Sequence, residues 1–297
     1  LPHLQKRDLI VVIVSYRTKA HLRRCLSSLR GKSPQTSYQV MVVDNASGDG
    51  TASLVKREFP QVLLREEREN IGFARGCNRV LQLPPPRYIL FLNPDALVER
   101  GAVDLMVSLL EEREEVGIVG GGLWGYDGRL QPTYRRFPTY GNLFFTKKNI
   151  IGSLLGRRPK PRERAREVDS VAGAFMLIRG ELFHRLQGFD ERFFMYVEDV
   201  DLCYRAQGMG MKIFYLPQAR ARHFWGASTR FCRKRMVIEH HRSLYRFFEK
   251  HHPHLLKNLL LGWILLLNLE LALAGDFVRE VFLTEGADRL APSSKGG

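Results

Sequence analysis

A chain of 297 residues can hold one large domain, or a domain with an extension, around a substantial core. Its 44% hydrophobic and 26% charged residues exclude a disordered or low-complexity protein. The net charge of +15 points to an anionic partner: a nucleotide diphosphate, a lipid phosphate, an acidic membrane surface or nucleic acid.

Asp8 to Ser15 is a continuous β-branched run, as in a strand buried on both faces of a parallel sheet. Leu22, Cys25, Leu26 and Leu29 then fall at helical spacing, and Gly31 ends the helix. Tyr38 to Asp44 is a second strand, followed by the loop Asn45 to Thr51 and a helix through Phe59. Val62 to Leu64 predicts a short third strand, Gly72 to Leu83 a helix, and Tyr88 to Leu92 a fourth strand after three prolines. A helix carrying Val103, Met106, Val107 and Leu110 precedes a fifth strand at Gly117 to Gly120.

This alternation implies βαβ crossovers and a mostly parallel sheet flanked by helices. Ligands of such sheets bind beyond the carboxyl ends of the strands. Those ends carry Ser15-Tyr16, Asp44-Asn45 and Asn93-Pro-Asp95, so polar groups converge on one edge.

Beyond Gly120 the rhythm stops. Tyr126 to Arg129 is a hairpin-turn signal, Gln131 to Thr139 is extended, and Arg157 to Arg166 is a basic loop, a solvated connector or a flap for an anionic substrate. Ser170 to Ile178 and Lys212 to Leu216 return to strand, and His223 to Thr229 reads as a loop. Between them, Glu198, Asp199 and Asp201 follow the aromatic run Phe193 to Val197. Carboxylates beside such a wall are partly desolvated, which makes at least one a candidate general base. The same residues suit a helix start, where Asp201 can pair with Arg205 at i,i+4.

The last section is basic and helical from Arg233, then strongly apolar from Leu255 to Gly275. Lys257, Asn258, Asn268 and Glu270 interrupt the apolar run, which argues against a spanning helix and for one lying at an anionic membrane surface or packed on another subunit. Two domains are therefore expected: residues 1–232, and a helical extension, 233–297. Cys25, Cys77, Cys203 and Cys232 show no metal spacing and read as buried thiols in a reducing compartment. With no signal-peptide pattern visible, the expected location is cytoplasmic.

At the strand ends, Asp95 offers an oxygen ligand to a hard divalent cation, Asn93 a weaker carbonyl, and His223 a nitrogen if its loop folds over that edge. Asp44 is a natural acceptor for a base or ribose, and Arg75 can meet a diphosphate bidentately. No glycine-rich phosphate loop is present, so a metal and an arginine are the expected phosphate contacts.

Taken in order, Val14-Ser-Tyr16, Val43-Asp-Asn-Ala-Ser47, Asn70-Ile-Gly-Phe-Ala-Arg-Gly76, Leu92-Asn-Pro-Asp-Ala96, Val171-Ala-Gly-Ala174, Gly188-Phe-Asp-Glu191, Tyr196-Val-Glu-Asp-Val-Asp-Leu202 and His223 resemble the family-2 glycosyltransferases of GT-A fold, within them the rhamnosyltransferase-like branch that builds bacterial surface polysaccharide. The resemblance covers roughly Leu9 to Thr229. It implies an inverting hexosyl transfer from a dTDP- or UDP-sugar, L-rhamnose by the branch, to a lipid-linked or saccharide acceptor. It also implies that Tyr16 and Asp44 hold the pyrimidine, Arg75 the ribose–diphosphate, Asp95 and His223 a Mg²⁺ or Mn²⁺ ion, Asp199 the acceptor proton, and Glu198 the acceptor itself. Asn93 stands where many members carry the first aspartate of D-x-D, which should weaken metal affinity. The Q-x-x-R-W signature of processive synthases is absent, so transfer of one or a few sugars is expected.

Two other readings compete. A nucleotide-sugar-binding scaffold without catalysis is favoured by Asn93 and opposed by the retained Asp95, Asp199 and His223. A nucleic-acid binder rests on charge alone, has no recognisable motif, and is not expected.

Overall fold

The computed structural model describes residues 8–31, 37–141, 164–224 and 233–270. The chain divides into two compact units, Leu1–Phe231 and Cys232–Gly297.

The first unit is built on a nine-stranded sheet of order β3-β2-β1-β4-β10-β6-β11-β5, with β8 added beside β11. Six strands run one way: β1 (Leu9–Ser15), β2 (Tyr38–Asp44), β3 (Leu63–Glu66), β4 (Tyr88–Leu92), β6 (Val116–Trp124) and β11 (Lys212–His223). β5 (Ala96–Val98), β8 (Arg166–Glu167) and β10 (Phe175–Arg179) oppose them. A separate ribbon pairs β7 (Tyr134–Arg135) with β9 (Ser170–Val171).

Helices cover both faces. Side chains of a strand alternate between faces. Leu9, Val11 and Ile13 of β1 therefore pack with α1 (Lys19–Gly31), α2 (Thr51–Glu58) and α4 (Ala102–Glu112), while Ile10, Val12 and Val14 pack with α3 (Phe73–Cys77), α5 (Gly180–Arg185) and α6 (Glu198–Gly208). Every residue of β1 is buried, which is why the strand reads as unbroken apolar sequence. Cys25, Cys77 and Cys203 are buried free thiols, and Cys232 lies outside the described residues.

Register decides where the functional edge falls. Ser15 aligns with Asp44, so β1 and β2 end side by side. Because β10 runs antiparallel to β4, with Phe175 opposite Leu92, its start lies at the end of β4. Asn93 N accordingly donates to Ala174 O at 3.0 Å. β5 folds back on β11 and sets Ala96 opposite His223.

Several elements differ from the sequence reading. β11 continues past Leu216 to His223 through a register shift between Leu216 and Arg220, so His223 ends a strand instead of sitting in a loop. β6 runs on to Trp124 because Gly120 and Gly121 are packing residues, not terminators. A Cβ on Gly121 would lie 2.3 Å from the Phe175 ring, and one on Gly120 2.4 Å from Val171. The predicted helix Gly72 to Leu83 splits into α3 and a 3₁₀ turn, Asn78–Gln82. Ser170 to Ile178 is broken at residues 172–174, a break the site uses. The three-residue β5 was not expected, and most of the basic segment from Arg157 lies outside the described residues.

Asp201 and Arg205 form the i,i+4 pair at 2.7 Å, with Asp201 fully buried. Arg205 also donates to Leu186 O and Gly188 O, which fastens α6 to the turn after α5. Removing the cation strands a buried carboxylate, so Arg205→Leu should cost about 3–5 kcal/mol of stability in denaturant unfolding.

In the second unit, α7 (Arg233–His251) is followed by a helix over residues 255–270. Asn258 joins them by donating through Nδ2 to His252 O at 3.0 Å, and Gly262 packs near Tyr245. One face of the second helix buries Leu261 and Leu265. Its opposite face leaves Leu255, Leu256, Leu259, Leu260, Trp263, Leu266 and Leu267 exposed. Among the described residues, no helix is long and apolar enough to cross a membrane.

Candidate active site

The site is assembled from loops that leave the ends of β1, β2 and β4. Asn45 N donates to Ser15 O at 2.8 Å, and Ser47 Oγ accepts Arg17 N at 3.0 Å, so the first two loops are stitched together. Tyr16, in the first of these loops, is half-buried, with the Arg17 guanidinium 5.3 Å from its ring centre. Asp44 is buried and accepts Ser47 N at 3.3 Å. Burial pushes its carboxyl above the usual carboxylate range, with the Ser47 hydrogen bonds opposing. A donor from a bound base or ribose would meet an acceptor already stripped of water.

Asn45 organises the neighbouring loop, a role the sequence reading did not give it. Its Nδ2 donates to Asn70 Oδ1 and Gly72 O, and its Oδ1 accepts Ile71 N. The available signal was an asparagine directly after a strand-end aspartate, since Asx side chains organise local backbone. Gly72 has φ +86°, and a Cβ there would meet Phe194 O at 2.4 Å. Phe73 N donates to that same oxygen at 2.8 Å, tying this loop to the aromatic run before Glu198. Arg75 stands in an ion pair with Glu191, Nε to Oε2 3.0 Å, and both side chains are about half exposed. Such a pair is worth about 0–1 kcal/mol, so a diphosphate could displace Glu191 at small cost.

Beyond β4, Asp95 Oδ1 lies 3.2 Å from His223 Nε2, and both residues are more than nine-tenths buried. Asp95 Oδ1 accepts no hydrogen bond, although the two side chains are close enough to count as an ion pair. The other ring nitrogen, His223 Nδ1, is engaged with Gln131 Oε1 at 2.7 Å. Asn93 Nδ2 stands 3.2 Å from Nε2. An unpaired carboxylate oxygen beside an imidazole nitrogen fits a divalent cation. No group of three or more His, Cys, Asp or Glu able to hold a metal exists among the described residues, so diphosphate oxygens and water would complete the coordination.

The acidic stretch is aimed by strained backbone. Tyr196 and Val197 have φ of 69° and 68°, a left-handed conformation costing about 1–3 kcal/mol per residue away from glycine. Asp199, at the start of α6, is partly exposed; its Oδ2 accepts Gly173 N at 3.1 Å and its Oδ1 accepts Val200 N at 2.8 Å. Gly173 belongs to the break between β9 and β10, and the next residue, Ala174, accepts Asn93 N. One short loop therefore holds Asp199 on one side and the Asn93–Asp95 segment on the other.

Glu198 behaves differently from its neighbour. It is buried, its Oε2 has no hydrogen-bond partner, and its charge pushes the Cys77 thiol further up. Desolvation first, and Asp199 second, push the Glu198 carboxyl well above the usual range. A carboxyl raised on folding contributes no penalty below its unfolded pKa, and stability is lost as pH rises through the folded value. Glu198→Gln, which cannot ionise, should therefore leave stability at about pH 4 almost unchanged and remove part of the loss that sets in as pH rises above the unfolded carboxyl pKa of about 4.3, measured by denaturant unfolding.

The mixed sheet, with helices on both faces and polar loops at its carboxyl edge, is that of the GT-A fold. Residues 6–241 match the model of "Glycosyltransferase like family 2", and the chain belongs to that family. An N-acetylglucosaminyl-diphospho-decaprenol L-rhamnosyltransferase of Mycobacterium tuberculosis is 29% identical, over 82% of this chain and 84% of its own. The rhamnosyltransferase WbbL of Escherichia coli K12 is 25% identical, over 81% of this chain and 92% of its own. Among solved structures, the mannosyltransferase PcManGT of Pyrobaculum calidifontis, in complex with GDP-Man and Mn²⁺, has a TM-score of 0.57 at 19% identity, covering 97% of this chain and 82% of its own.

Proposed function

We propose that this chain is an inverting transferase that moves L-rhamnose, or a related hexose, from a dTDP- or UDP-sugar to a lipid-linked or saccharide acceptor in cell-surface polysaccharide synthesis. The observation that carries it is the loop Gly173–Ala174, which holds Asp199 beside the segment bearing Asp95. The names of the two rhamnosyltransferase relatives support the sugar and, for one of them, a diphospho-decaprenol acceptor.

In this reading Tyr16 and Asp44 receive the pyrimidine and Arg75 the ribose–diphosphate. Asp95 and His223 would hold Mg²⁺ or Mn²⁺, which when bound offsets charge on the departing diphosphate. Asp199 takes the proton of an acceptor hydroxyl as the oxygen bonds to the anomeric carbon. The bond to the nucleotide breaks on the opposite face, its electron pair leaving with the diphosphate, so the configuration inverts. Glu198 binds or orients the acceptor. The test is a screen of nucleotide sugars with Mg²⁺ or Mn²⁺, scored by released nucleotide diphosphate. Slow hydrolysis of a dTDP- or UDP-sugar is expected; tight nucleotide binding with no release for any donor and acceptor would instead support a non-catalytic scaffold.

The second unit suits peripheral contact with the anionic inner face of the plasma membrane, where a lipid-linked acceptor would be met. Its exposed leucines and Trp263 lie on one helical face, and α7 carries six Lys and Arg against two Glu. An interfacial helix needs an apolar face with an indole at the headgroup level, and nearby cations add about 1 kcal/mol each. Replacing Leu259, Trp263 and Leu266 by Ser should reduce binding to phosphatidylglycerol vesicles by at least about tenfold. Unchanged vesicle binding together with a lost dimer in sedimentation would assign the face to a second copy of the chain.

A further inference from the structure

Gln131 is bonded to His223 through both ends of its amide. Gln131 Nε2 donates to the His223 carbonyl oxygen at 2.9 Å, and Gln131 Oε1 lies 2.7 Å from His223 Nδ1. A carbonyl oxygen can only accept, so the first bond fixes which way the amide faces. The atom facing Nδ1 is then an oxygen, which also can only accept. Nδ1 must carry the proton. In a neutral imidazole this leaves Nε2 as an unprotonated acceptor.

Two further contacts agree. Asn93 Nδ2, a donor, stands 3.2 Å from Nε2. Asp95 Oδ1, 3.2 Å from the same nitrogen, receives no hydrogen bond. Left to themselves, Asp95 and His223 would choose the other tautomer, with Nε2–H donating to the carboxylate. That choice would close the position to a metal. The backbone holds Gln131 against this tendency: its own N donates to Leu123 O at 2.9 Å, just beyond the turn in which Gly125 N bonds Arg129 O.

We infer that Gln131 is a positioning residue that selects the Nδ1–H tautomer of His223 and so keeps Nε2 open to a divalent cation beside Asp95. The inference rests on the reading of Asp95 and His223 as the metal pair. It gives the turn after β6 a purpose that neither charge nor strand pattern revealed. Asn93 Nδ2 donates to the Nε2 lone pair in the metal-free protein and would have to release it when a cation enters, a weaker hold than a proton on Nε2.

The first measurement needs no metal. Long-range ¹H–¹⁵N correlation spectra of the metal-free protein at pH 8, with the His223 signals identified by their loss in His223→Gln, report which ring nitrogen is protonated. The proton is expected on Nδ1 in the native chain, and wholly or partly on Nε2 in Gln131→Met. The second measurement is Mn²⁺ affinity in the presence of UDP, followed by electron paramagnetic resonance. Removing a partner that orients a metal-bound histidine typically weakens binding about 10–100-fold, and that loss is expected for Gln131→Met. Gln131→Glu, which still offers an acceptor to Nδ1–H, should recover most of it. A proton on Nε2 of the native protein overturns the inference, as does unchanged Mn²⁺ affinity in a folded Gln131→Met. Failure of the native chain to bind Mn²⁺ overturns the metal reading itself, and the role of Gln131 with it.

Discussion

Asp199→Asn is expected to bind a nucleotide sugar as the native chain does and to lose turnover by about 10²–10⁴-fold. The substitution is isosteric, and the amide oxygen can still accept one of the two backbone N–H groups, from Gly173 or Val200, that hold the carboxylate. What disappears is a carboxylate able to take the acceptor's proton. Donor affinity should survive because Asp199 contacts neither Asp44 nor the Asp95–His223 pair; it meets that segment only through the Gly173–Ala174 loop. The diagnostic result is a fall in kcat with little change in the donor KM. A variant with native kcat would remove Asp199 from the chemistry and make Glu198, the neighbouring buried carboxyl, the next residue to substitute.

Much of the first unit was legible because its strands are buried on both faces. Val11, Val42 and Leu90 have no exposed side, so their strands read as apolar runs, and the strand-end residues followed directly. The failures share a physical cause. Gly120 and Gly121 look like terminators, yet they are small because Val171 and Phe175 pack where a side chain would be. Pro217 looks like a stop, yet β11 shifts register around it and carries His223 to the edge that holds Asp95 by pairing, not by a loop. Roles that depend on two distant segments were hidden altogether. Gln131 and His223 are 92 residues apart, and no periodicity links them. Arg75 could be proposed as a phosphate contact, but its partner Glu191, 116 residues on, could not. Glu198 and Asp199 are sequence neighbours of similar type. Only the left-handed pair Tyr196 and Val197 and the start of α6 show that one turns inward and the other is held at Gly173.

Asp95→Asn should separate function from stability in the opposite direction to Arg205→Leu. The Asp95 Oδ1 atom is buried and accepts no hydrogen bond, an arrangement that costs stability when nothing else occupies the site. An amide at this position removes the unmet negative charge and could share the His223 Nε2 lone pair that Asn93 Nδ2 already approaches at 3.2 Å. The folded state of the metal-free protein is therefore expected to gain about 1 kcal/mol, read from denaturant unfolding. Activity should move the other way. On the proposed reading the cation would lose its charged protein ligand, and with it a contribution of several kcal/mol to stabilising the departing diphosphate. Turnover should fall by roughly 10²-fold or more, with a raised metal requirement that Asp199→Asn does not show. A variant that is both more stable and inactive would mean that the carboxylate is held against the interests of folding for the sake of a ligand. One that keeps native activity and metal response would place the diphosphate elsewhere, with Arg75 then the first residue to test.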